Sequence, residues 1–305
     1  MIGQEQARAA AQLGADFIGA VRTGEVDWLA SVVAPGSAAA LQLEIFGVAL
    51  FRIGLRLDDP EEQGKLAPYD FQFEGEVGLL ELGVIEPLPE GQGHLRRLFG
   101  SSLLLQATGN GWQISELIPV NSDGNLHPNS PADHEVLAVY QGHKALPLQT
   151  ANLDLVERLF LAKMQMQTGW FNLEELLNAV RLWRDYRAKQ TVSKRQVASL
   201  AAAVEYLISL FDYFQVDSQE VAQRYATTTP ALLNRSREIA QTLNATQFND
   251  RYSIHPDPIA HYRQLFRDIG GAFDQEEIER ARREYTKVFD TVEVPPDDLD
   301  FFGPN

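Results

Sequence analysis

The sequence predicts an α+β domain followed by an all-α domain that contains a helix-turn-helix. Two observations lead to this prediction. Between residues 71 and 120, apolar and polar residues alternate and strong turn signals interrupt them, as is typical of an antiparallel sheet. From residue 151 onward, apolar residues recur at helical spacing, and capping residues precede several of these runs. Because the two patterns occupy separate parts of the chain, we expect two domains.

The composition is that of a globular chain with an acidic balance. The 305 residues include no cysteine, which excludes disulfides, thiolate catalysis and cysteine-ligated zinc. No apolar run is long enough to span a membrane and no secretion signal is evident, so we expect a cytoplasmic protein without a membrane partner. The net charge of −16 disfavours non-specific nucleic-acid binding by the whole molecule. Residues 151–250 are the least acidic part, with 11 acidic and 11 basic groups against 19 and 8 in residues 1–150.

The N-terminal region is predicted to begin with helices. Residues 4–22 form one helix, and residues 26–33 form a second that Pro35 and Gly36 end. Residues 38–57 are mostly apolar and contain few polar residues, so their pattern fits either a helix or a strand.

The predicted sheet follows a loop at residues 58–64. Residues 71–77 alternate and the apolar run continues to residue 85, which predicts one long strand. After a turn at residues 87–93, residues 98–107 and 112–120 are predicted to form a hairpin about the sequence Thr-Gly-Asn-Gly.

The N-terminal pattern resembles the nuclear transport factor 2-like, or SnoaL-like, cone fold. The residues that carry the resemblance lie at 17–29, 33–35 and 109–119, where two helices precede a sheet that ends in a Gly-Trp hairpin. The resemblance implies a cone domain over residues 1–122, with helices packed on a curved antiparallel sheet. It also implies that the cone dimerises or binds a small ligand, since members of that superfamily use the cone in these ways.

Four polar residues on the predicted strand are candidates for a ligand site in such a cone: Asp70, Gln72, Glu74 and Glu76. The alternative is that these residues form the solvated face of a strand whose other face, with Phe71, Phe73 and Val77, packs on the core. We favour this alternative because no histidine or tyrosine accompanies the acids at a fixed spacing.

Residues 123–150 are predicted to connect the domains, with a short strand at residues 136–140. Residues 151–292 are predicted to be all-α, and residues 197–211 form the clearest amphipathic helix. Further helices are predicted over residues 259–269 and 274–289. The tail at residues 293–305 is acidic and proline-rich, so we expect it to be flexible. Its Leu-Asp-Phe-Phe sequence suits either docking into an apolar groove or folding back on the core.

The helix-turn-helix is predicted at residues 217–243. Asp217 and Glu220 form a capping box for its first helix. Thr229 caps the second helix, with Pro230 at its first position. Ala226 occupies the joint, where glycine is common, so the turn geometry stays open.

The run from Asn234 to Glu238, Asn-Arg-Ser-Arg-Glu, resembles the end of a cyclin repeat in transcription initiation factor B. With the flanking residues 206–212 and 244–250, the segment also resembles an uncharacterised bacterial domain-of-unknown-function family of the same design. Both resemblances imply a cyclin-type helix-turn-helix that binds nucleic acid or protein.

If this motif touches DNA, the first turn of its second helix enters the major groove. Thr228, Thr229, Asn234 and Arg235 are then its polar contacts to bases, and Arg237 and Arg224 lie close to phosphates. Three cations upstream could extend this footprint: Arg187, Lys194 and Arg195. The alternative for these three is the solvated end of a helix. The alternative for the whole motif is a helical core that uses the same shape to pack or to bind protein, because a phosphate footprint normally needs more exposed cations.

The leading hypothesis is therefore a non-enzymatic regulator or adaptor with no catalytic residues, metal or cofactor. Its helical domain binds nucleic acid or a protein partner, and its cone domain dimerises or senses a ligand. The alternative is a ligand-binding or catalytic cone protein with a helical interaction domain. The six histidines lack the spacing of a zinc helix.

Overall fold

The structure, a computed structural model, describes residues 2–58, 65–87, 95–109, 111–119, 131–193, 196–211, 216–246, 249–254, 280 and 283–289. The chain divides into two compact units. The first comprises Met1–Leu153 with Thr168–Leu173, and the second comprises Asp154–Gln167 with Glu174–Asn305. The described residues form helices and one four-stranded antiparallel sheet, so the mixed α+β class is confirmed. Among them, no helix is long and apolar enough to cross a membrane.

The first unit begins with four helices: α1 (Ile2–Thr23), α2 (Val26–Val32), α3 (Ala38–Phe46) and α4 (Val48–Gly54). The first two confirm the predicted helices. The segment that fitted either a helix or a strand is the pair α3 and α4, which meet at Gly47 with φ 67°. Ser37 caps α3 by accepting a hydrogen bond from the Ala40 amide. The segment shows no polar face because most of its apolar side chains are buried.

The sheet contains β1 (Ala67–Glu74), β2 (Val77–Pro87), β3 (Leu95–Thr108) and β4 (Gly111–Pro119), in that order. The predicted hairpin between β3 and β4 is confirmed, with Thr108 paired to Gly111. The prediction of one strand over residues 71–85 is wrong, because the chain reverses at Gly75 and Glu76 and pairs Glu74 with Val77. Gly75 takes φ 60°, which glycine adopts without steric cost. The alternation of residues on both sides concealed this two-residue turn.

Helix α1 packs against one face of the sheet. A Cβ atom at Gly14 of α1 would lie 2.5 Å from Leu80 Cδ2 and 3.1 Å from Pro68 Cγ. This glycine therefore allows close approach of the helix to β1 and β2. Phe17 of α1 and Phe51 of α4 are fully buried and meet edge to face, with ring centroids 5.3 Å apart.

Residues 131–140, predicted to lie in a connector with a short strand at 136–140, form helix α5 (Pro131–Tyr140). Both parts of that prediction are wrong here, since this helix belongs to the first compact unit. Val136 and Val139 are buried, which is the i, i+3 spacing of a helix face. Five residues were too few to separate this spacing from a strand's alternation.

The second unit contains α6 (Leu155–Gln165), most of α7 (Leu173–Lys189), α8 (Val197–Phe211), α9 (Ser218–Arg224) and α10 (Thr229–Leu243). Every residue of α8 from Leu200 to Phe211 is buried, so the prediction that α8 is amphipathic is wrong. It is a central helix, and such helices are apolar on all sides. Most of the predicted loop at 58–64 and of the predicted turn at 87–93 lies outside the described residues, as do the predicted helix at 259–269, most of the last helix and the tail at 293–305.

Candidate functional site

Helices α9 and α10 are joined through residues 225–228. The Asp217 carboxylate accepts a hydrogen bond from the Gln219 amide at 2.6 Å and so caps α9. The predicted cap at Asp217 is thus confirmed, but the bond is to Gln219 and not to the Glu220 amide that a capping box requires. Thr228, rather than Thr229, caps α10, because its hydroxyl accepts from the Ala231 amide at 3.3 Å. Thr229 is the first helical residue. The predicted cap was one residue too late because proline suits either of the first two helical positions.

Ala226 in this joint adopts the left-handed backbone conformation, with φ 51°. This conformation strains alanine, whereas glycine adopts it freely. We expect Ala226→Gly to raise the free energy of unfolding by about 0.5–1 kcal/mol, after allowing for the greater entropy of the unfolded glycine chain. Urea denaturation measures the change. In the matched variant Ala231→Gly, within α10, the same substitution lowers stability by about 1 kcal/mol. Destabilisation by both variants would contradict strain at Ala226.

Arg224, which was predicted to contact phosphates, is bound inside the helical unit. Its guanidinium forms an ion pair with the Glu205 carboxylate on α8, which is 1 % exposed. The Tyr225 hydroxyl donates a hydrogen bond to the same carboxylate at 2.6 Å. Burial raises the pKa of Glu205, although Tyr225, Arg224 and Gln167 act in the opposite direction. Arg224 is therefore the cation that compensates a buried carboxylate.

Arg235, predicted to read bases, is paired with Glu238 three residues further along α10. Glu238 also accepts a hydrogen bond from the Tyr186 hydroxyl of α7 at 2.6 Å. Partial burial alone raises the pKa of Glu238, but the hydrogen bonds from Tyr186 and Arg235 and the positive charge of Arg235 bring it below its usual value. The carboxylate is thus ionised, and it holds the guanidinium against α10.

Arg237 and Arg187 also have partners within the unit. Arg237 Nε donates to the Lys287 carbonyl at 2.7 Å, although its side chain is exposed. Arg187 Nη1 contacts Asp154 Oδ2 at 2.6 Å, and the same oxygen accepts from the Trp183 indole at 2.8 Å. Both were predicted to lie near phosphates.

The two other predicted cations, Lys194 and Arg195, lie outside the described residues. Of the predicted basic footprint, the four described arginines are therefore each engaged inside the helical unit, three of them with carboxylates.

Helix α10 has one buried and one exposed face. Leu232, Ser236, Ile239 and Ala240 are buried. Pro230, Asn234, Arg237 and Gln241 are exposed at i, i+4, i+7 and i+11, and they are called here the outward face of α10. Only one of these four side chains carries a charge. Of the predicted base-contacting set, Thr228 and Asn234 are exposed. The Thr228 hydroxyl caps α10, and the Asn234 side-chain oxygen accepts a hydrogen bond from Arg237 Nη1 at 3.4 Å.

The predicted ligand residues of the first unit do not meet in a cavity. Asp70, Gln72 and Glu74 are exposed on β1, and Glu76 is exposed in the turn that follows. Gln72 Nε2 donates to Asp70 Oδ2 at 3.0 Å, so these two point to one face. The opposite face carries Phe71, which packs against the core, and Phe73, which is 44 % exposed. Val77, which the alternative interpretation placed on the core side, instead pairs with Glu74 and is 52 % exposed. Asp70, Gln72 and Glu74 thus share one solvated face, and Glu76 lies in the turn.

The first unit contains a buried polar cluster that was not predicted from the sequence. The side chains of Arg56 and Asp133 are 1 % and 7 % exposed, and Arg56 Nε contacts Asp133 Oδ1 at 2.6 Å. Arg56 Nη1 donates to the Gly100 carbonyl at 3.3 Å, and the Ser101 hydroxyl donates to the Gly54 carbonyl at 2.7 Å. These bonds connect the end of α4 to β3 and to α5.

The Tyr140 hydroxyl lies beside this cluster and makes no hydrogen bond among the described residues. Its burial raises the pKa of the phenol, and the negative charge of Glu116 raises it further. A shallow pocket of about 200 Å³ adjoins the cluster, lined by residues that include Arg52, Arg56 and Glu135. The described residues contain no group of three side chains suited to hold a metal ion.

One signal in the sequence pointed toward this cluster. Arg52 and Arg56 both lie within the apolar run at residues 38–57, where an arginine can be buried with a partner. The pattern does not tell them apart, because Arg56 is buried whereas the Arg52 side chain is 36 % exposed. The identity of the partner was not readable, because Asp133 lies 77 residues further along the chain.

Comparison of the chain with family models, with curated proteins and with solved structures gives no match.

Proposed function

We propose that the chain is a non-enzymatic adaptor whose helical unit binds a protein partner, rather than nucleic acid, through the outward face of α10. The observation that supports this choice is the engagement of Arg187, Arg224, Arg235 and Arg237 inside the unit. A nucleic-acid footprint draws its affinity from cations that neutralise phosphates and release counterions. An arginine that already holds a carboxylate must give up that pair before it can supply such affinity.

The cost of releasing these arginines differs among them. Breaking the Arg224 pair leaves Glu205 as an uncompensated buried charge, which costs several kcal/mol. The Arg235 side chain is as exposed as that of Arg224, but its partner Glu238 is 39 % exposed rather than 1 %, so breaking this pair costs less. Glu238 still cancels the charge of Arg235 at the surface. Adding a polyanion next to Glu238 and Asp154 also brings like charges together, at a site on a chain of net charge −16.

The outward face of α10 has a composition that suits a protein surface better than a phosphate backbone. Pro230, Asn234 and Gln241 are uncharged, and the amide side chains both donate and accept hydrogen bonds. Interfaces between proteins are formed by such mixed surfaces, with roughly one hydrogen bond per 100–200 Å². We therefore expect the partner segment to present groups that both donate and accept hydrogen bonds.

A salt titration tests the choice between nucleic acid and protein. We expect fluorescence anisotropy with labelled duplex DNA and single-stranded RNA to show no binding near physiological salt. Any weak binding at lower salt should depend little on the salt concentration. A footprint of five or six phosphates instead gives a slope of about −5 in log affinity against log salt for duplex DNA. Such a slope, lost in Arg235→Ala/Arg237→Ala, would contradict the proposal.

The protein partner is sought by site-specific crosslinking. A photoreactive amino acid replaces Asn234, and a matched one replaces Gln12, which is exposed on α1 of the other unit. A protein crosslinked in native extract only from position 234 is identified, purified and titrated against the wild type. Asn234→Arg and Gln241→Arg are expected to weaken its binding, and equal binding to all variants would place the interface elsewhere.

A further inference from the structure

Strand β1 is an edge of the sheet. It pairs with β2 on one side, and in the described part of the chain no strand pairs with its other side. Most of its residues are exposed, including Phe73 at 44 % and the polar residues of the solvated face. An edge strand presents backbone amides and carbonyls to any extended chain that can align with it.

The two faces of β1 have different chemistry. Asp70, Gln72 and Glu74 lie on the solvated face. Phe71 and Phe73 lie on the other face, with stacked rings 5.7 Å apart, and Trp112 meets Phe71 at 5.4 Å. A strand added beside β1 would place alternate side chains against an acidic face and an aromatic face.

The solvated face carries a second acid beside Asp70. Glu81 of β2 lies directly opposite Asp70, so two carboxylates share this part of the face. The hydrogen bonds that the Asp70 carboxylate accepts come from neutral donors, the Phe71 amide and the Gln72 side chain. A cation on an added strand would give the Asp70 carboxylate a charged partner.

We propose that β1 accepts an extended segment of another protein, one that alternates lysine or arginine with apolar residues. Its basic side chains lie beside Asp70 and Glu74, its apolar side chains lie on Phe71 and Phe73, and its backbone extends the sheet. A second copy of this chain does not suit the edge, because the acids of both copies would then share one face. The site is separate from α10, so its failure leaves the proposal for the helical unit unaffected.

The test uses labelled peptides of about eight residues, the length of β1. The probe alternates lysine and arginine with valine and phenylalanine. Two controls keep its composition and charge: one groups the basic residues in one half, and the other is N-methylated at the residues whose amides face β1. We expect each control to bind the full-length protein at least about tenfold more weakly than the probe. Equal binding of all three peptides would show non-specific attraction to an acidic protein and overturn the proposal.

Variants of the protein locate the site. Asp70→Lys/Glu74→Lys is expected to weaken probe binding by at least about tenfold. Asp27→Lys/Asp250→Lys makes the same change of charge at two exposed acids outside the sheet and is expected to leave binding almost unchanged. Because Asp70 and Glu74 are exposed, the Tm of the first variant should change little. Equal losses of binding in both variants, or self-association through β1 in sedimentation experiments, would overturn the proposal.

Discussion

Replacing Arg56 with methionine lowers the free energy of unfolding by about 3–5 kcal/mol, because it leaves Asp133 as a buried charge without its partner. Both side chains are almost completely buried, and the guanidinium also binds the Gly100 carbonyl. Its loss therefore removes the cation from the carboxylate and leaves backbone and hydroxyl oxygens with fewer donors. Urea denaturation followed by circular dichroism measures the change.

The matched control is the exposed pair that Arg52 forms with Asp58, two side chains that are 36 % and 62 % exposed. Arg52→Met should cost less than about 1 kcal/mol, because water solvates the remaining carboxylate. Replacing both Arg56 and Asp133 with apolar residues should cost less than Arg56→Met alone. Equal effects of Arg52→Met and Arg56→Met would show that burial does not set the strength of these pairs.

Replacing Arg224 with alanine is expected to lower the free energy of unfolding by about 3–5 kcal/mol at neutral pH. The reason is that the buried carboxylate of Glu205 loses its cation. Glu205→Gln should cost much less, because burial raises the pKa of this carboxyl and its ionisation is already unfavourable in the fold. In Arg224→Ala, adding Glu205→Gln should restore most of the stability. A double variant no more stable than Arg224→Ala would contradict this assignment.

The pH dependence gives an independent test. A carboxyl whose pKa is raised in the folded state contributes stability below its unfolded pKa, near 4.3, and this contribution is lost as pH rises through its folded pKa. Arg224→Ala removes the nearby cation and so raises the folded pKa further. The stability difference between wild type and Arg224→Ala should therefore shrink as the pH falls from 7 toward about 4. A difference that is constant over this range would mean that Glu205 does not titrate there.

Elements defined by local signals were predictable from the sequence. Helix α1, the cap of α9 at Asp217 and the hairpin at residues 108–111 depend on residues close together in the chain. The same holds for the order of a sheet-containing part before a helical part. Some predictions were wrong because the local pattern fitted two structures equally well, as at the turn after Glu74 and in α5. The prediction for α8 was wrong because this helix is buried on all sides and has no polar face.

The candidate site was predictable in its residue types but not in their surroundings. Asn234, Arg235 and Arg237 lie on α10, within the predicted second helix. Their surroundings could not be predicted, because they include residues from distant parts of the chain. Arg235 pairs with Glu238, which Tyr186 binds from 52 residues away, and Arg237 binds the carbonyl of Lys287, 50 residues away. For Arg224 the partner is Glu205, 19 residues earlier on a different helix.

The sequence by itself determined elements with strong local signals, such as α1 and the hairpin at residues 108–111, because caps, glycines and periodicity act over a few residues. It also determined the acidic balance and the absence of thiol chemistry. Only the tertiary structure decided which charges are free. The energy of an arginine depends on the carboxylate beside it and on the water around both, and packing between distant segments sets these two quantities.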